Sequence, residues 1–173
     1  MFNAKKNGFT LLELIIVMAL TLVILGMIFQ MLNTNTRIMS DVNVKSTLQS
    51  EGQAIQEKLS KIGMQAISIE CNGKKDIDLL TINSLNESGK KCRFEVGKEK
   101  NENNNLYISE YKYNDDGSKI LKNKKVFTDN LKVINVSQDD KSAEIEIILS
   151  KNKGYSHITY PVNIKFTFRN KDK

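Results

Sequence analysis

The sequence is poor in the residues that most often hold metals or shape linkers. Its 173 residues include no tryptophan, two cysteines, one proline and one histidine. A single proline excludes a proline-rich linker or recognition segment. Two cysteines and His157 do not reach the ligand number or spacing of a structural zinc site, so no metal site is predicted.

Motifs of the common enzyme classes are also missing. The sequence has no HExxH pair, no glycine-rich phosphate loop and no cysteine–histidine arrangement with an orienting third residue. The segment Asn114-Asp115-Asp116-Gly117 lacks the spaced oxygen ligands and distal glutamate of an EF-hand, and a hairpin turn explains it. We therefore predict no enzymatic activity and no cofactor, and we interpret His157 as an ordinary sheet residue.

The positive charge is moderate and dispersed. The formal net charge is +6, from 26 Lys and Arg against 20 Asp and Glu. The segment Lys122-Asn123-Lys124-Lys125 is a candidate to contact nucleic-acid phosphates, but no aromatic residues interleave it. We interpret it as solvated surface, which leaves nucleic acid a conceivable but unsupported partner.

One long apolar run dominates the N-terminal part of the chain. Residues 9–32 include only two strongly polar side chains, Glu13 and Gln30. At about 1.5 Å per residue this helix would be about 36 Å long, enough to cross a hydrocarbon core of about 30 Å. Lys5 and Lys6 precede the run, which predicts a cytoplasmic N-terminus and an outer location for everything after Leu32. Neither a small-residue cleavage site nor a cysteine directly follows the run, so an ordinary signal peptide and a lipoprotein are disfavoured.

Residues 5–13, Lys-Lys-Asn-Gly-Phe-Thr-Leu-Leu-Glu, resemble the N-terminus of type IV pilins and of the pseudopilins of type II secretion and competence. The resemblance implies that prepilin peptidase cuts between Gly8 and Phe9 and methylates the new amine of Phe9. It implies further partners: the membrane, the pilus assembly platform and other pilin subunits. After assembly the subunit would lie in a surface filament, having first been a single-pass membrane protein.

Glu13 is an unexpected residue in the apolar run, because its side chain is ionisable. A carboxylate at mid-bilayer costs roughly 2.5 to 3.5 kcal/mol on insertion scales, so a chain that keeps one usually has a use for it. Four residues span only about 6 Å of helix, so Glu13 would lie close to the amine of Phe9 after cleavage. We expect its carboxylate to pair with the Phe9 amine of a neighbouring subunit during assembly, because ion pairs are stronger in apolar surroundings.

Two further features bear on the type of pilin. Major pilins commonly carry a proline midway along this helix, whereas only Gly26 interrupts the good helix formers here. This difference favours a minor pilin or a pseudopilin. The segment Asn130-Leu131-Lys132-Val133 and the strands after it weakly resemble the J-type or W-type minor subunits.

The rest of the sequence predicts an α+β fold in which a long helix packs against an antiparallel β-sheet. Six residues at helical spacing define an apolar stripe in the soluble half of the helix, residues 33–66: Leu48, Gly52, Ile55, Leu59, Ile62 and Ala66. Residues 67–173 form the predicted sheet domain, with strands at 76–85, 92–96, 106–113, 132–136, 143–149 and 157–168. The leader, residues 1–8, and the membrane helix, residues 9–32, complete the predicted organisation.

The two cysteines, Cys71 and Cys92, both fall on the predicted outer side, where disulfides persist. A bridge between them would close a loop of about 22 residues and contribute on the order of 3 kcal/mol. Two free thiols are the alternative, because a cell surface need not be oxidising.

Together these observations predict a structural subunit, a minor type IV pilin or pseudopilin serving adhesion, motility, secretion or DNA uptake. A single-pass anchored module that binds a ligand outside the cell is the alternative. Leader processing discriminates between them, because only the pilin requires it.

Overall fold

The computed structural model describes residues 10–85, 89–100, 104–114, 117–154 and 156–168. Within these ranges the chain forms one helix, α1 (Leu11–Gly63), followed by eight strands. It divides into two compact units, Met1–Ser40 and Asp41–Lys173. We call the second unit the head.

The described part of the first unit is helical from Leu11 onward, and its side chains are exposed from Thr10 to Met39. By length and composition α1 could cross a membrane, and its most apolar stretch buries nothing within the protein. Threonine hydroxyls here donate to carbonyl oxygens one turn back, as Thr21 Oγ1 does to Val17 O at 2.7 Å and Thr34 Oγ1 to Gln30 O at 3.0 Å. These bonds satisfy the hydroxyls inside the helix, which suits an apolar surrounding.

The head contains two antiparallel sheets. The first has the order β1-β2-β3-β4-β5, with β1 Ala66–Cys71, β2 Leu79–Leu85, β3 Lys91–Lys100, β4 Asn104–Tyr113 and β5 Lys119–Thr128. The second has the order β6-β7-β8, with β6 Leu131–Gln138, β7 Ser142–Lys153 and β8 Ser156–Thr167. The predicted α+β class is confirmed, with two sheets in place of the single sheet expected.

The second half of α1 supplies the centre of the head's core. The helical members of the predicted stripe are all buried, and Val44 and Gly63 join them. Glycine brings the helix close to β8: a Cβ at Gly52 would lie 2.8 Å from Tyr160 Cε1, and one at Gly63 would lie 2.4 Å from Phe166 Cδ1. Any larger residue at Gly63 would therefore have to displace the root of the Phe166 ring.

Two polar connections tie the sheets and the helix together. The segment between β1 and β2 bonds to β6, since Ile77 N donates to Ile134 O and Val136 N donates to Lys74 O, both at 2.9 Å. Where β5 leads into β6, the buried Thr128 donates through Oγ1 to Glu51 Oε2 at 2.6 Å. Asn130 Nδ2 donates to the same oxygen at 3.0 Å. Glu51 thereby anchors the junction of the two sheets to α1.

The structure differs from the sequence-based prediction at three elements. α1 ends at Gly63, so Ala66 is buried as the first residue of β1 and not as the last member of the helical stripe. Strand β1 was not predicted, because helical spacing extended the stripe across its start. Strand β5 was not predicted either, because its exposed lysines and asparagine show no alternation.

Candidate processing and assembly site

The first turn of α1 is built around Thr10. The carbonyl of Thr10 accepts a bond from Leu14 N at 3.2 Å, and its hydroxyl oxygen accepts one from the backbone N–H of Glu13 at 3.3 Å. Thr10 is therefore the N-cap, and Glu13 is the third helical residue. Sequence reasoning missed this role, although threonine followed three residues later by glutamate before an apolar run is the signature of a capping box.

Glu13 is exposed in the first turn of α1. The partial positive charge at a helix N-terminus favours a carboxylate at this position, which offsets part of the cost of carrying it into an apolar region. Its carboxylate remains available, because no described residue pairs with it. The other predicted processing residues, Gly8 and Phe9, lie outside the described residues.

The apolar side chains that follow Glu13 have no partner within the protein. From Leu11 to Leu32 all the large ones are exposed, as Leu22 and Phe29 are at 70% and 68% of their surface. A soluble protein rarely exposes so large an apolar patch, which marks a surface for lipid or for other protein chains. The first unit is thus suited to a bilayer and to packing against other apolar helices.

The two cysteines lie too far apart for the expected bridge. Cys71 pairs with Leu80 across to β2, and Leu80 pairs with Val96 on β3. Cys92 is four residues from Val96, about 13 Å along the strand, and β3 is about 10 Å from β1. Bridged Cα atoms lie within about 7 Å, so the structure does not form this disulfide. Both thiols are free.

The environments of the two thiols differ. Cys92 is buried and its Sγ donates to Ser84 O at 3.3 Å, whereas Cys71 is half-buried and bonds to Gly73 O at 3.2 Å. Burial is the main cause that raises the pKa of the Cys92 thiol, and the charge of Glu110 adds to it. The thiolate of Cys92 therefore forms only at higher pH than is usual for cysteine.

The predicted basic segment lies on β5, and its neighbours neutralise much of its charge. Within the segment, Lys124 Nζ lies 3.1 Å from Glu99 Oε1, and just before it on the same strand Lys119 Nζ lies 2.6 Å from Glu95 Oε1. The same two lysines lie over the rings of Tyr107 and Tyr111, at 4.5 and 4.0 Å from the ring centres. These are internal contacts of the sheet, so the lysines on this face offer little free charge to nucleic acid.

Glu95 is the centre of this network. Burial alone would raise the pKa of Glu95, but hydrogen bonds from Lys119 and Tyr111 and the charges of Lys119 and Arg93 lower it below its usual value. The network therefore stabilises the head above the ordinary pKa of glutamate, and this contribution is lost as the pH falls through the lowered pKa.

A groove lies between α1 and the face of β3, β4 and β5 that is turned towards this helix. It consists of two adjoining cavities of about 380 Å³ each, and Lys58, Lys61 and Glu110 line both. Lysines from the strands complete it: Lys112 and Lys122 in one cavity and Lys125 in the other. The groove is thus basic and open to solvent, unlike the enclosed apolar cavity of a small-molecule pocket.

The described residues include no group of three or more His, Cys, Asp or Glu side chains able to hold a metal ion. His157, the only histidine of the sequence, contacts Asn152 through Nδ1 on the β7–β8 hairpin. Nothing in this arrangement resembles a nucleophile with its base.

Comparison with known proteins identifies the N-terminus. The family model described as the prokaryotic N-terminal methylation motif matches residues 3–29. This motif is the type IV prepilin and pseudopilin signature, so the chain carries the N-terminus of a type IV pilin-like precursor. No curated protein and no solved structure matches the chain significantly.

Proposed function

We propose that this chain is a minor type IV pilin or pseudopilin, a structural subunit that is cleaved, methylated and assembled with other pilins into a surface filament or its tip. The observation that carries the proposal is the methylation motif at residues 3–29. It overlaps the first half of α1, in which all the large apolar side chains from Leu11 to Leu32 are exposed. A head of two sheets packed on the same helix completes a subunit of this kind.

Four residues of the motif have a specific role in this proposal. Prepilin peptidase cleaves between Gly8 and Phe9 and methylates the amine of Phe9. Thr10 caps the first turn and so fixes where the helix begins. Glu13, exposed in that turn, offers its carboxylate to the Phe9 amine of a neighbouring subunit as the filament grows.

Substituting glutamine for Glu13 tests the assembly role. Glu13→Gln keeps the size and helix propensity but removes the charge, so insertion and cleavage after Gly8 should persist. The Phe9 amine of the neighbour would then lack its partner, and an unpaired buried charge typically costs about 3 to 5 kcal/mol. We expect the cleaved variant to remain in the membrane and to be lost from sheared filaments.

The matched control is Glu144→Gln, the same substitution at an exposed position of β7 in the head. It should enter filaments as the parent chain does. The assay quantifies the chain in sheared filaments relative to cleaved chain in the membrane. If the Glu13 variant is cleaved and enters filaments normally, the assembly role assigned to Glu13 is wrong.

A further inference from the structure

Strand β5 is an unpaired edge that is exposed along most of its length. It is the last strand of its sheet, and among the residues that the structure describes it pairs only with β4. All of its residues from Lys119 to Val126 are exposed. Ile120 and Leu121 each expose 50% of their surface, and Val126 exposes 46%. Such an edge presents a row of free backbone donors and acceptors to another extended chain.

Lysines usually protect an edge strand, because their free charges repel an incoming strand. On β5, three lysines form ion pairs with the neighbouring strands. Lys119 and Lys124 pair with glutamates of β3, and Lys122 Nζ lies 2.6 Å from Glu110 Oε1 on β4. The protection is therefore weakened by contacts within the sheet itself.

The groove beside β5 carries the free positive charge of this region. Lys58, Lys61 and Lys112 form no ion pair with any residue in the described ranges, although all three line it. Lys58 lies over the ring of Phe94 at 5.8 Å from its centre, and Lys125 lies over that of Phe127 at 5.1 Å. A strand added to β5 would place alternate side chains towards these lysines and the others towards Leu121 and Val126.

These features favour a polypeptide over a nucleic acid. The free edge offers backbone hydrogen bonds that only another extended peptide matches along its length. Base stacking needs exposed aromatic faces, but Phe94 is buried and lysines lie over Phe94 and Phe127.

We infer that β5 and the adjoining lysine groove form a docking site for an extended segment of a different filament subunit, with acidic side chains alternating along it. Its backbone pairs with the edge of β5, its carboxylates face Lys58 and Lys61, and its other side chains cover Leu121 and Val126. Naming the occupant a filament subunit rests on the proposed function. The site itself does not, because it can be tested on the purified chain.

The probe is a fluorescein-labelled peptide of ten residues in which valine and glutamate alternate, matching the ten residues of β5. Anisotropy is measured as the peptide is titrated with the full chain in detergent micelles. We expect saturable binding that weakens as salt is raised. The same peptide with proline at every valine keeps the charges but cannot form a strand, and it should not bind.

Paired charge reversals locate the site. Lys58→Glu with Lys61→Glu should weaken binding about tenfold or more, because like charges then face each other. The control, Lys45→Glu with Lys132→Glu, makes the same change in net charge at two exposed positions that do not line the groove, and it should bind normally. Thermal unfolding of both variants confirms that the head is folded.

Three results would overturn the docking site. Equal binding of the proline peptide would show that strand pairing is not involved. Equal binding of a single-stranded oligonucleotide of matched charge would show that charge alone is recognised. Unchanged binding by the Lys58/Lys61 variant would place the site elsewhere. None of these results bears on leader processing, so the proposed function would stand.

Discussion

The two halves of α1 share one secondary structure, but their apolar side chains lie in opposite environments. Between Leu11 and Leu32 the large apolar side chains are all exposed, whereas Leu48, Ile55 and Leu59 are fully buried. The first half therefore depends on something outside the chain, a bilayer or other helices, while the second half is stabilised by the head. A substitution that changes only apolar packing should affect these halves very differently.

The sharpest contrast is between two leucines. Leu59→Ala removes a side chain with 0% exposure and should lower the free energy of unfolding of the head by about 2 to 5 kcal/mol. Leu22→Ala, at a position that is 70% exposed, should leave it unchanged. Denaturation followed by tyrosine fluorescence measures the head alone, since all five tyrosines lie after residue 100. Equal effects would contradict the division between the halves.

Two glycines of α1 should show the same difference between its halves, with a smaller effect on stability. Gly63→Ala would bring a Cβ to 2.4 Å from Phe166 Cδ1, whereas a Cβ at Gly26 meets nothing within 4 Å. We expect the first substitution to destabilise the head by about 1 to 3 kcal/mol and Gly26→Ala to leave it unaffected. The same denaturation experiment checks both. A stable Gly63 variant would mean that Phe166 does not pack against the end of α1.

The smallest effect concerns the cysteines of the head. In the folded chain, without reductant, iodoacetamide should alkylate the half-buried Cys71 first. The raised pKa of Cys92 keeps it a thiol at neutral pH, so it should react only at higher pH or after unfolding. Peptide mapping by mass spectrometry follows each site. Resistance of both cysteines until a reductant is added would indicate a disulfide and contradict the sheet register.

Much of the architecture could be predicted from periodicity. The helical spacing of Leu48, Ile55, Leu59 and Ile62 identified the face that the head covers, and the alternation around Ile145 and Ile147 identified a strand buried on one side. Both signals are strong because burial on one face imposes a period on the sequence.

Pairing and exposure explain what could not be predicted. Alternation shows that a strand exists but not which strands pair, so neither the division into two sheets nor the separation of Cys71 from Cys92 was visible. Both faces of β5 are exposed, and its lysines form ion pairs with residues such as Glu95 and Glu110 on other strands. Its sequence therefore shows no alternation of apolar and polar residues. The capping role of Thr10 was visible in the spacing to Glu13 and was missed.

The N-terminus of the mature chain tests the assignment as a pilin-like precursor most directly. Mass spectrometry of the membrane fraction, from cells that have a prepilin peptidase, should find a chain that begins at Phe9 and carries one added methyl group on its amine. This result is predicted by the methylation motif at residues 3–29. A chain that keeps Met1 in those cells would contradict the assignment as a pilin-like precursor and would favour a single-pass anchored module instead.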